Sequence, residues 1–350
     1  MESSDQKQTA REGSTAIQAA GDVTIISGPS PTEVMQIAQE VFNANFYRLA
    51  NVAKETATAR AEEITGDFLS KLQKENPKGL EKCNDPDFQY ALFTVQKQYA
   101  RNGDKTLGDL LVDLLVDRTK HDQRDILQIV LNESLETAPK LTEQQLAVLA
   151  IAFLFKYTQN HGLGNHQMFG EYLDRFVFPF APKIVKNVAC YQHLEFSGCG
   201  SISVLTASLT SILGQGYQGL FLKGFDAQEI TTRGISVGND QRLFTQCLND
   251  PHKIQVRALN KDGLSKAFDA HSIGDEDRAK ITALFDSQKM DDAQIKGVCI
   301  ALRPYMAGIF DTWEGSALQQ FTLTSVGIAI GHANIKRLVG EFADLSIWIN

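Results

Sequence analysis

Two hydrophobic periods meet near the start of the chain. Ile17, Ala19, Gly21, Val23 and Ile25 fall on one side of an extended segment, with Gln18, Ala20, Asp22 and Thr24 on the other. Beyond Pro31 the apolar positions recur every third or fourth residue: Val34, Ile37, Ala38, Val41, Phe42, Leu49, Val52, Ala57, Ile64, Phe68 and Leu72. Ser30 as N-cap, Pro31 at N1 and Glu33 at N3 make a capping box. The pattern predicts one helix over residues 31–75, which would reach roughly 60 Å at 1.5 Å per residue. An isolated strand leaves its backbone groups unpaired, and its sequence neighbour is a helix, so its partner edge is expected on sister copies. The expected self-association surface is Ile17, Ala19, Val23, Ile25, Val34, Ile37, Val41 and Phe42. The competing expectation is a tail ahead of a helix that packs on its own domain.

Further along, "ENPKGLEKCNDPDF" reads as a linker. Helices are predicted over 87–101, 107–118 and 125–136, then from the N-cap Thr142, with Gln145 at N3, to 157. Residues 169–178 continue the series, and 201–213 are expected as a buried helix. Glycines thicken in "GQGYQGLFLKGF", and the period is lost over 214–260 except in the alternating "KIQVRAL". Helices at 275–287, 292–302 and 305–313 precede a strand in "LQQFTLT", a helix in "SVGIAIGHANIKRL" and a last strand in "ADLSIWI". The expected fold is mainly α. It has a tail and strand (1–30), a long helix (31–75), a helical domain (86–213), a loop-rich segment (214–260) and a C-terminal α+β unit of winged-helix size (261–350).

Composition narrows the function classes. At 43% hydrophobic and 22% charged residues the chain is that of a folded globular protein. A net charge of −8 disfavours a sequence-independent nucleic-acid binder, which needs surplus cations. In the last sixty residues four cations stand against six acids, so a winged-helix-like unit there lacks a basic footprint. Residues 196–222 and 315–335 carry no Asp, Glu, Lys or Arg, but Ser, Thr, Gly and Gln dilute both, so buried helices are expected rather than membrane spans. The polar N-terminus shows no signal-peptide pattern, and five widely spaced cysteines read as reduced cytoplasmic thiols.

Candidate chemistry is sparse. Cys190, His193 and Cys199, with His161 and His166 upstream, are the one Cys/His cluster, but their spacing is not that of paired zinc ligands. "FSGCGS" places Cys199 ahead of an expected helix at 201, where a helix N-terminus would lower a thiol pKa and His193 could serve as base. No orienting Asn or Asp can be assigned, and a glycine-flanked turn explains the same residues. Asp109, Asp113 and Asp117 form an acidic stripe that could hold Mg2+, although a solvated outer face accounts for it better. Phosphate-loop and dinucleotide signatures are absent, and no cofactor is implied.

"STAIQAAGDVTIISG" followed by "EVMQIAQEVFNANFYRLA", together with "ARNGDKTLGDLLVDLLVDR", "APKLTEQQLAVLA" and "LTSVGIAIGHANIKRL", resembles the pattern of a family of bacterial cytosolic proteins without an assigned activity. That resemblance implies no catalytic residues. In architecture alone the chain is loosely similar to abortive-infection alpha proteins of phage defence. The expectation is a non-enzymatic, cytoplasmic homo-oligomer that contacts another protein, in phage defence or a stress response. The alternatives are a cysteine- or metal-dependent hydrolase and a membrane-acting effector.

Overall fold

The computed structural model describes residues 28–45, 51–121 and 125–349. The expected strand, with Ile17, Ala19, Val23 and Ile25, lies outside the described residues. Side-chain caps set most helix starts. Ser30 N donates to Glu33 Oε2 at 2.7 Å and Glu33 N to Ser30 Oγ at 3.3 Å, opening α1 (Pro31–Asn45). After α2 (Asn51–Glu75), Asp85 caps α3 (Pro86–Asn102), and Gly103 in the left-handed region ends it. Asp104 caps α4 (Lys105–Arg118) and Asp125 caps α5 (Ile126–Thr137). The Thr142–Gln145 capping box then forms at the head of α6 (Glu143–Tyr157).

The expected 60 Å rod is not formed. Gln96 Nε2 donates both to Ala38 O of α1 (3.4 Å) and to Thr65 Oγ1 of α2 (2.9 Å). In one straight helix those positions would stand about 40 Å apart. The two helices lie side by side, and the apolar face assigned to sister copies is covered at home. Val34 joins the main core, Phe42 packs with Ala57, Ala61 and Ala100, and Ile37 and Val41 are half-buried near Cys83 and Leu92. The expected linker is likewise structured. Pro77–Asn84 forms a 3-10 helix that buries Leu80 and Cys83.

Beyond α6 the chain continues through α7 (His166–Tyr172), α8 (Val188–Phe196), β1 (Gly200–Ile202), α9 (Leu209–Gly216) and α10 (Gln228–Thr232). It then forms β2 (Phe244–Gln246), β3 (Ile254–Val256), α11 (Lys261–Ala270), α12 (Asp275–Ser287), α13 (Asp292–Leu302), α14 (Met306–Glu314), β4 (Phe321–Leu323) and α15 (Ser325–Val339). The protein is mainly helical, and the two sheets have two strands each. β2 pairs with β3. β4 pairs antiparallel with β1 at Ser201↔Thr322, so its partner comes from before α9 rather than from the C-terminus. The expected strand in "ADLSIWI" is instead a 3-10 turn, Leu345–Ile347. Aromatic packing anchors it: Trp348 Nε1 donates to Tyr157 O at 2.8 Å, and its ring meets Phe153 edge-on at 4.9 Å.

At the centre, α6 and α15 cross. From Gln145 to Phe155 every residue of α6 is buried, as is every residue of α15 from Gly327 to Ile335. Helices apolar on all sides belong in a core. Close approach requires glycine at two places on α15: a Cβ on Gly331 would come within 2.9 Å of Leu149 O, and one on Gly327 would overlap Cys199 O. Because α15 sits in the same core as α4, α5 and α6, the C-terminal segment does not form the separate unit expected over 261–350. A second, smaller core lies within residues 222–285, spanning β2, β3, α11 and α12.

The acidic stripe divides. Asp109 is exposed, but Asp113 and Asp117 are buried, because α4 is sandwiched between α2, α5 and α15 rather than lying on an outer face. Lys71 of α2 pairs with Asp113 at 2.5 Å. Lys336 of α15 reaches Asp117 at 2.9 Å and Glu75 of α2 at 2.8 Å, while Lys120 meets Asp117 at 2.6 Å. Burial pushes the Asp113 carboxyl up, against the pull of Lys71. Burial presses on Asp117 too, but Lys336 and Lys120 outweigh it and hold its carboxyl below the ordinary range. Three carboxylates and three ammoniums thereby tie α2, α4 and α15 together. Removing one partner leaves a buried charge uncompensated. Lys336→Met keeps the aliphatic stem and removes the charge. It is expected to lower unfolding stability by about 3 kcal/mol in urea melts, with the slope unchanged.

Candidate functional site

The chemistry expected of the Cys/His cluster is not assembled. Cys199 is fully buried, and it precedes a strand, β1, rather than the helix expected at 201. Burial pushes its thiol up to about 12, the opposite of an activated nucleophile. Cys190 is buried as well and is pushed up to about 11 by the same cause. His193 is exposed, and its Nδ1 sits 2.8 Å from Gln145 Nε2, an amide that also donates to Cys190 O at 3.0 Å. Nδ1 is therefore the acceptor, and His193 serves the start of α6 rather than a thiol. His166 Nε2 meets Leu220 O at 2.8 Å, and His161 borders a different opening. Among the described residues no group of three or more His, Cys, Asp and Glu is placed to hold a metal ion. The carboxylates Asp113 and Asp117 face lysines instead.

A large opening lies elsewhere among the described residues, where the smaller core joins the main body. The chain leaves the body near Phe221 and returns near Met290. The two crossings are held together by Lys223 N donating to Gln288 O (2.8 Å) and Met290 N to Phe221 O (3.0 Å). Beside this joint is a cleft of about 840 Å³. Its body wall is the end of α6 (Lys156 to Gln159), the loop 203–207 and the strand approach Gln319–Gln320. Its lobe wall is Asn260, Lys261, Asp262 and Lys289. Val204 and Leu205 in that loop are 94% and 79% exposed, and Phe196 at the end of α8 is 88% exposed. The expected buried helix over 201–213 is thus strand, open loop and a shorter α9. Its apolar residues are split between core and surface because β1 is drawn into pairing with β4.

Lys156 explains how the body wall is built. β4 has one edge on β1, and its other edge would expose unpaired carbonyls. Lys156 Nζ donates to Phe321 O at 2.8 Å, Leu318 O at 2.7 Å and Gln319 O at 3.3 Å, so all three of its protons are used. Tyr157 completes the edge: Leu323 N donates to its hydroxyl at 2.8 Å. The ammonium stands 5.2 Å over the Trp313 ring. No carboxylate among the described residues pairs with it. Burial pulls its pKa down to about 8, although three carbonyl acceptors favour the charged form.

The cleft lining brings together amides, hydroxyls and three lysines, and it contains no cysteine and no histidine. The side chains of Thr206, Gln320 and Thr322 make no hydrogen bond among the described residues, which leaves them available to a bound group. None of these residues was singled out by sequence reasoning. The available signal was Lys156 itself, a lone cation closing the apolar run "AVLAIAFLFKY".

A family model with the description ":-like" matches residues 28–349. The chain belongs to that family. The match covers every described segment, including both cores and the cleft between them. No curated protein and no solved structure matches the chain.

Replacing Lys156 by Met should remove the donor to Phe321 O on the β4 edge and to Leu318 O in the turn before it. The expected result is a loss of about 2–4 kcal/mol in denaturant unfolding, partly restored by Lys156→Arg. Cys199 is expected to react with a thiol reagent at neutral pH only as fast as the protein opens, so its labelling rate should follow added denaturant.

Proposed function

We propose that this protein is a non-enzymatic interaction protein that receives part of a partner in the cleft between body and lobe. One observation carries this reading. The cleft between body and lobe gathers amides, hydroxyls and lysines and holds no cysteine or histidine, while the thiols that could have reacted are sealed in the core. Binding clefts set a few convergent polar groups in a partly apolar wall, and Phe155, Leu205, Ile212 and Tyr217 supply the apolar part here. The hydrolase alternative loses its stated nucleophile. The membrane-effector alternative is disfavoured because no helix among the described residues is long and apolar enough to cross a membrane.

Self-association is part of the proposal, now assigned to the expected strand, with Ile17, Ala19, Val23 and Ile25, alone. The alternation over residues 17–25 supports it, as does the position of exposed Gly28, where the chain meets the described body beside Glu81. The face of α1 has no share in it, since α2 and α3 occupy that face. A cytoplasmic setting in phage defence or stress response is supported by the resemblance in sequence and architecture alone. Light scattering on the full chain should give a multiple of 38.7 kDa, and removal of residues 1–28 should reduce it to one copy with the same thermal melt. A full chain that runs as one copy would remove the self-association from the reading.

A further inference from the structure

The cleft's electrostatics narrow the kind of group it receives, and the inference rests on the reading of that cleft as the binding site. Three ammoniums line it, those of Lys156, Lys261 and Lys289, against the single carboxylate of Asp262. Lys261 and Lys289 both pair with Asp286, at 2.7 and 2.9 Å, so one carboxylate outside the lining is shared by two cations and can neutralise only one of them. Lys156 contributes a charge matched by carbonyl dipoles alone. With Asp286 included, three cations still face two carboxylates. This positive balance stands on a protein whose net charge is −8, where most of the surface repels anions. The cations also come from both sides of the joint: Lys156 from the body, and Lys261 and Lys289 from the lobe and its return crossing. Neutral donors, Thr206, Gln320 and Thr322, stand between them.

We infer that the cleft binds an anionic group, a carboxylate or phosphate carried by the partner or by a small ligand, with Lys261 and Lys289 contacting it and Lys156 acting at longer range through its uncompensated charge. Lys156 has no proton left to donate, so an anion would stabilise its charged state across the wall instead of bonding to it. Binding is therefore coupled to proton uptake around pH 8, where burial holds Lys156 close to half-titrated.

The test is calorimetric titration of the full-length protein with sodium pyrophosphate and, separately, with citrate. It is run near pH 8 in two buffers of different ionisation enthalpy. The expected result is saturable binding of at least one of the two at or below about 10 mM, weakened by added salt and accompanied by proton uptake. Which anion binds more tightly separates a phosphate from a carboxylate ligand. Lys261→Met/Lys289→Met should weaken binding by about tenfold or more with an unchanged melt, since both side chains are largely solvent-facing. Lys156→Arg keeps the charge at every accessible pH, so it should retain the affinity and abolish the proton uptake. Absence of binding by both anions, or equal binding by wild type and the double variant, would overturn the inference. Neither outcome would touch the proposed self-association, which light scattering tests independently.

Discussion

One ammonium with no carboxylate partner governs how this molecule is put together around its cleft. A two-stranded sheet is marginal by itself, and the free edge of β4 carries carbonyls that need donors. Lys156 donates to Phe321 O of that edge and to Leu318 O and Gln319 O of the turn that leads into it, and Tyr157 closes the edge at Leu323. Both side chains come from the last turn of α6, whose residues 145–155 are all buried, so the sheet is pinned directly to the core. With the strand held there, the loop 203–207 is left standing open beside the lobe. The cleft follows from that arrangement.

The same logic of satisfying polar groups from distant segments runs through the body. Asn334 Nδ2 donates to Leu146 O at 3.1 Å where α15 crosses α6. Lys336, two residues further on, reaches carboxylates of α2 and α4. His332 Nε2 meets Ala343 O at 2.7 Å and holds the C-terminal turn against the aromatic cluster of Phe153, Phe342 and Trp348. A helix near the end of the chain is thereby built into the middle of the fold. The smaller lobe is inserted ahead of that helix, and it keeps its own core from Leu222 to Phe285.

Local signals were legible, and long-range ones were not. Capping residues marked the starts of α1 and α6 because N-cap chemistry is decided within four residues. The helices of 87–157 and 275–339 were readable from their periods. The joining of α1 and α2 was misread as one rod, since a side-by-side pair and a long helix share the same hydrophobic period. What tells them apart is the contact from Gln96, which lies outside the run. "ADLSIWI" alternates like a strand, but alternation gives no pairing edge, and β4 had already found β1. Asp113 and Asp117 looked solvated because Lys71 and Lys336, which pair with them across helices, sit more than forty residues before the first and two hundred after the second; only Lys120 is local. Cys199 looked reactive through a helix that is a strand in the structure. The cleft was invisible in the same way: its lysines and amides are scattered from residue 154 to 322 and converge only when the lobe folds beside the body.

The central claim is that the Lys156 ammonium is half-buried against carbonyl oxygens with no countercharge. It is tested most directly by nuclear magnetic resonance titration of side-chain-labelled lysines, with Lys156 assigned through its Arg variant. The account predicts one lysine titrating near pH 8, well below the ordinary lysine value, and losing that transition in the variant. If Lys156 instead titrates with the surface lysines at about pH 10 or above, it stands in water, the β4 edge is closed by something else, and the account fails.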